Sequence, residues 1–179
     1  IMAFWNAPLL QPNHAELACR SALAMRDYSR QLVEDAESKA FPKLPTRFGI
    51  ETGEVMVGNI GAEERFSYTC LGDTANTAAR LAGLNKAYGT EIILGHKAAA
   101  EVEGLFVLRP LDQVKVKGKE IGVMVYELMA DISHVDSNRD EALAHYAAGL
   151  EDYFAGRFER ASTLFQNCHA VFKDSASII

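Results

Sequence analysis

The 179 residues suit one domain of ordinary size plus a small extra unit, at roughly 150 residues per domain. Hydrophobic residues make up 49%, enough for a core, yet no apolar run is long enough to span a bilayer. The net charge of -6 excludes a basic nucleic-acid footprint but leaves room for a nucleotide in a pocket of local positive charge.

Cys19, Cys70 and Cys168 are odd in number and sit inside apolar periodic segments. They read as reduced core residues of a cytosolic protein, not as a disulfide framework or metal site. The chain opens Ile1-Met2-Ala3-Phe4-Trp5 with no charged leader, and reads as an internal start.

Ile1 to Asn6 is apolar and predicts a buried strand, ended by a turn around Pro8 and Pro12. Asn13 with Glu16 makes a capping-box pattern. Ala18, Ala22, Met25, Leu32 and Ala36 then follow at near-helical spacing, predicting one amphipathic helix to about Lys39. Arg47 to Thr52 alternates as a half-buried strand, which Gly53-Glu54 turns into a second strand from Val55 to Asn59. Gly58 and Gly61 weaken that strand and suggest a loop or a close backbone approach.

Arg65 to Leu71 is the next strand. Asp73 to Ala87 is the next helix, with Asp73 as its N-cap and Gly89 in a left-handed cap position. Glu91 to Leu94 reads as a strand and Ala98 to Glu103 as a short helix. Leu105–Pro110, Gln113–Lys117 and Val123–Met129 read as three further strands. This order predicts an α/β (α+β) sandwich, helices covering one face of a largely antiparallel sheet.

Residues 131–139 are polar and aperiodic and read as a linker between residues 1–130 and 140–179. Beyond it Tyr146, Gly149, Tyr153, Gly156, Phe158, Ala161 and Phe165 fall at the offsets of a tetratricopeptide repeat. They predict a helical hairpin, Asp140 to Ala155 and Phe158 to Phe172. The same pattern suits a plain hairpin folded onto the preceding domain.

The segment Phe66 to Leu81 is the most informative. Asn76 and Arg80 are four residues apart on the first turns of a helix, so they share a face. A guanidinium fork beside an amide suits a sugar-phosphate ligand, although by spacing alone an ordinary solvated helix face is the commoner reading. Gly-Asp-Thr-x-Asn-x-Ala-x-Arg-Leu after Tyr68-Thr69 closely resembles the class III adenylate/guanylate cyclase catalytic domain. The flanks agree, at Phe48 to Gly61 before it and Val114 to Lys119 after it. The resemblance runs from about Ile1 to Leu128, in several ordered motifs.

That resemblance implies a ferredoxin-like nucleotide cyclase fold lacking its first β-α-α-β portion. It implies an adenylate cyclase that converts ATP to cyclic AMP and pyrophosphate in signal transduction, working as a head-to-tail homodimer. Asn76 would orient the ribose, Arg80 would stabilise the transition state and Lys117 would bind the distal phosphates. Lys115, Lys117 and Lys119 also alternate as the solvated face of a strand would. Thr69 would read the base: the guanylate-type Cys stands one residue later, at Cys70, and alternate strand residues face opposite ways.

The two divalent metals (Mg or Mn) of the family are held by aspartates whose motif positions precede Ile1. By this resemblance the chain is expected to hold no family metal site and not to cyclise ATP alone. Three readings follow: a fragment of an adenylate cyclase, a non-catalytic nucleotide-binding regulatory module, or an interaction protein whose working part is the helical tail with a protein partner. A guanylate cyclase is the variant of the first. Asn76, Arg80 and Lys117 together favour the first, with the catalytic region in the cytoplasm of a parent protein whose membrane anchoring stays open.

Overall fold

The computed structural model describes residues 1–39, 46–62, 65–115, 122–134 and 137–172. Its centre is a four-stranded sheet in the order β1 (Phe48–Ile50), β4 (Ile92–Gly95), β6 (Val123–Asp131), β5 (Phe106–Val114). β1 and β4 are parallel; β4–β6 and β6–β5 are antiparallel. A separate antiparallel hairpin joins β2 (Met56–Ala62) to β3 (Arg65–Leu71).

Helices cover both faces of the sheet, where the sequence suggested one. β4 is the cause, because its run Ile92-Ile93-Leu94 is buried throughout. Ile92 and Leu94 join Phe106 and Leu128 under α1 (His14–Lys39) and α3 (His96–Glu101). Ile93 points the other way, to Leu111 and Val125 under Leu81 and Leu84 of α2 (Asp73–Tyr88). A strand buried on both faces needs a continuous apolar run, not an alternating one.

α1 packs through Ala15, Ala18, Cys19 and Ala22, whose small side chains let it lie close to the sheet. Met25 and Leu32, expected in the same apolar stripe, are exposed. By then the helix has reached the end of the sheet, where Arg26 donates to the Met129 carbonyl (2.7 Å) and Arg30 pairs with Glu91. Glu16 is held by Arg20 (2.9 Å).

Several expected elements changed. Residues 1–5 form no strand; they lie against β3 through side chains, with Phe4 5.8 Å from Tyr68 and Met2 Sδ 3.6 Å from Cys70 Sγ. A strand requires a neighbouring ladder, and among the described residues none pairs with this segment. The strand expected at 105–110 and the start of the one expected at 113–117 are one strand, β5, which passes Pro110 through a register shift between Pro110 and Asp112 and ends at Val114; residues 116–117 lie outside the described residues. A bulge is where a sheet tolerates a residue that lacks an N–H. β2 runs unbroken through Gly58, where a β-carbon would meet nothing within 4 Å, so close approach does not explain that glycine.

β6 extends to Asp131, and a single 3-10 turn, Ile132–His134, leads to α4 (Ser137–Phe154). The connection is thus shorter than the aperiodic stretch 131–139. α4 and α5 (Phe158–Phe172) form the expected hairpin, turning at Gly156 with φ 74°. Tyr146, Leu150, Ala161, Phe165 and Cys168 are buried between the two helices, and Met124 of β6 packs against them. The hairpin is therefore folded onto the sheet.

Candidate active site

β3 delivers the chain to α2 through Leu71 and Gly72. Gly72, not Asp73, is the N-cap of the helix, and no side chain caps it. A β-carbon at Gly72 would stand 3.1 Å from Val55 Cγ1, so the turn is tight against the 53–55 loop. Asp73 becomes the first helical residue, exposed in the first turn, where its charge favours the positive end of the helix dipole. Thr74 Oγ1 donates to the Glu54 carbonyl (3.3 Å) and ties the helix start to that loop.

α2 has three faces. Leu81, Leu84 and Tyr88 meet the sheet. Thr74, Ala75 and Ala78 line a cleft of about 620 Å³. Asn76 and Arg80 fall on the remaining face, and both are exposed. Arg80 is exposed, and no ion-pair partner for it stands among the described residues. At the far end Gly89, with φ 67°, caps the helix as expected.

Thr69 is half-buried in β3 opposite Gly58. A β-carbon at Gly58, across the ladder from Thr69, would meet nothing within 4 Å. Cys70 is buried on the other face of the hairpin against Met2, as strand alternation requires. Asn76 and Arg80 are thus brought together by one helix, while no hydrogen bond among the described residues joins either to Thr69. Lys117 lies outside the described residues, and β5 ends before it at Val114.

The cleft itself is lined by none of Thr69, Asn76 and Arg80, whereas Cys70 and Met2 do line it. It lies between residues 2–7, α1, the 49–57 segment and α2, and its polar end is a cluster that no local spacing announces. There His14 Nε2 meets Thr52 Oγ1 (2.7 Å) and Glu101 Oε2 (3.3 Å), and Glu51 accepts from the Ala98 amide (3.3 Å). These side chains come from separate segments of the chain, so only folding reveals them. Among the described residues no three His, Cys, Asp or Glu side chains gather to hold a metal ion.

The adenylate and guanylate cyclase catalytic domain matches residues 2–130. Adenylate cyclase 1 of Rhizobium meliloti is 39% identical over 137 residues, covering 76% of this chain and 21% of its own length. The chain thus spans about a fifth of that relative. The solved adenylyl cyclase CyaB of P. aeruginosa superposes with TM-score 0.63 at 28% identity, over 73% of this chain and 67% of that one. The guanylate cyclase domain of RhGC from Catenaria anguillulae, solved with GTP, gives TM-score 0.52 at 27% identity, over 70% and 65%. With the family's model matched over residues 2–130, nearly three quarters of its length, this chain belongs to the adenylate and guanylate cyclase catalytic domain family.

Proposed function

We propose that the chain supplies the transition-state half of an adenylate cyclase site, in a complete domain that converts ATP to cyclic AMP and pyrophosphate for signal transduction. The observation that carries this reading is the exposed Arg80, without an ion-pair partner among the described residues and one turn from Asn76, on a helix of a family whose Rhizobium relative is named an adenylate cyclase. In the reaction the ribose 3′-oxygen attacks the α-phosphorus, its proton leaves, and the bond to the bridging oxygen of pyrophosphate breaks. Such transfer depends chiefly on positioning and on stabilising phosphate charge.

Asn76 would hold the ribose so that its 3′-oxygen faces the α-phosphorus. Arg80 would take the charge that builds on the transferring phosphate, and Lys117 would bind the distal phosphates. Thr69 would read the base, helped by the open space opposite it at Gly58; with Cys70 turned away, adenine is the preferred base. The two divalent ions (Mg or Mn) of the complete domain would be held by residues other than those described.

The second subunit is a further copy of the chain, arranged head to tail. The β2–β3 hairpin supports this, because Met56 and Leu71, directly opposite each other in its ladder and so on one face, are more than half exposed. Exposed apolar side chains in one patch mark a contact surface. The tetratricopeptide-like hairpin is proposed to offer its outer face to a protein partner. Among the described residues no helix is long and apolar enough to cross a membrane. The cytoplasm, where ATP is found, is the proposed location of the catalytic region.

The test is cyclic AMP formation by the complete domain with ATP and Mg or Mn. Arg80→Ala should lower kcat by about 10²–10³-fold, the range for removing one transition-state donor, with the fold intact by circular dichroism. Unchanged turnover would overturn the assignment.

A further inference from the structure

The α4–α5 hairpin does more than cover apolar surface. Arg109 of β5 is fully buried, with its guanidinium 5.1 Å from the Tyr146 ring centre and 4.8 Å from that of Phe172. Its Nε and Nη2 both donate to Glu127 Oε2, at 2.9 and 2.6 Å. Glu127 is its cross-strand partner on β6 and the partner of Ile93 on β4. A planar cation between two rings, fixed in-plane by a carboxylate, joins both hairpin helices to the middle of the sheet.

Beyond the Pro110 bulge on the same strand, Asp112 Oδ2 accepts from the hydroxyl of Tyr88 at 2.8 Å. Tyr88 is the last residue of α2. Burial first and Asp112 second push the Tyr88 hydroxyl pKa up.

We propose that the α4–α5 hairpin positions α2: by gripping Arg109 between Tyr146 and Phe172 it fixes β5, and Asp112 passes that hold to Tyr88 at the end of the helix carrying Asn76 and Arg80. Tyr88 and Arg109 are thus positioning residues. Arg80 stands eight residues from Tyr88, about 12 Å along a stiff helix, so a shift at one end is felt at the other. Misplacement by about 1 Å at a reacting centre can lower a rate roughly 10²-fold. The proposal rests on the proposed function for what α2 does, whereas the mechanical link can be read without turnover.

Amide hydrogen exchange on this chain tests the link. Phe172→Leu should speed exchange at residues 84–88 about tenfold and leave residues 15–22 of α1, on the opposite sheet face, unchanged. Tyr88→Phe, which removes one oxygen, should speed the same α2 amides and leave the hairpin protected. Faster exchange confined to 137–172 in Phe172→Leu, or equal loosening of α1 and α2, overturns the proposal. If Phe172→Leu does not fold, Tyr88→Phe decides alone, and unchanged α2 exchange overturns it. In the complete domain Tyr88→Phe should lower kcat about tenfold with the KM for ATP within about twofold. Unchanged kcat removes the positioning role. Failure of Arg80→Ala to lower turnover would instead remove the site assignment and leave the exchange result standing.

Discussion

Gly49 and Ala78 approach so closely that a β-carbon on Gly49 would lie 2.1 Å from the Ala78 carbonyl oxygen and 2.3 Å from the Ala82 nitrogen. Both are backbone atoms of α2, which cannot swing aside as a side chain would. The contact sets how deeply α2 sits on β1, and so where its exposed face carries Asn76 and Arg80.

Gly49→Ala should therefore destabilise the chain by about 3 kcal/mol or more, at the upper end for overpacking. Gly58→Ala, where a β-carbon meets nothing, should stay within about 1 kcal/mol. Urea unfolding of the two variants checks the contrast, and equal midpoints would refute the packing account.

Asn85 forms a second tie between α2 and β1. It is fully buried; its Nδ2 donates to the Phe48 carbonyl (2.8 Å) and its Oδ1 accepts from Thr90 Oγ1 (2.8 Å). Asn85→Ala should cost about 2–4 kcal/mol, because Thr90 loses its acceptor in a buried site. Thr90→Val should cost less, and the pair should be non-additive by at least about 0.5 kcal/mol in a double-mutant cycle. Additive losses would mean that the two side chains act independently.

The thiol of Cys19, buried between α1 and the sheet, is pushed up from 9.0 to about 12 by desolvation. A raised folded-state pKa gives stability that is complete below the unfolded value and lost as pH rises. Thermal unfolding should thus be insensitive to this thiol below pH 9 and fall progressively between about 9 and about 12. Cys168 and Tyr88, also raised, act in the same direction. Cys19→Ala should flatten part of that decline. In the native protein at pH 8 a thiol reagent should leave Cys19 unmodified until the chain unfolds; rapid labelling would contradict its burial.

Much of the local structure that carries the candidate site was legible in the sequence. The β3–turn–α2 segment, the left-handed Gly89 and the shared face of Asn76 and Arg80 follow from chain geometry within about twenty residues. The opposite facing of Thr69 and Cys70 is likewise a property of any strand. Asp73 was misread because an acidic residue before an apolar run suits both the cap and the first turn. Gly72, able to make the tight turn, took the cap position. Residues 1–5 look like a strand by composition, but composition does not supply a neighbour to pair with.

The sequence by itself determined the family, the helix that bears Asn76 and Arg80, and the α4–α5 hairpin, since these depend on periodicity, caps and ordered motifs. Tertiary structure decided what is non-local: that β1 lies parallel to β4, that β5 runs on past Pro110, and that helices cover both sheet faces. It also decided that Arg109 is buried between Tyr146 and Phe172, a placement that charge alone would assign to the surface. Strand pairing and the burial of a charge are settled by which edges and rings meet in space, and residues far apart in the chain carry no spacing that encodes such meetings.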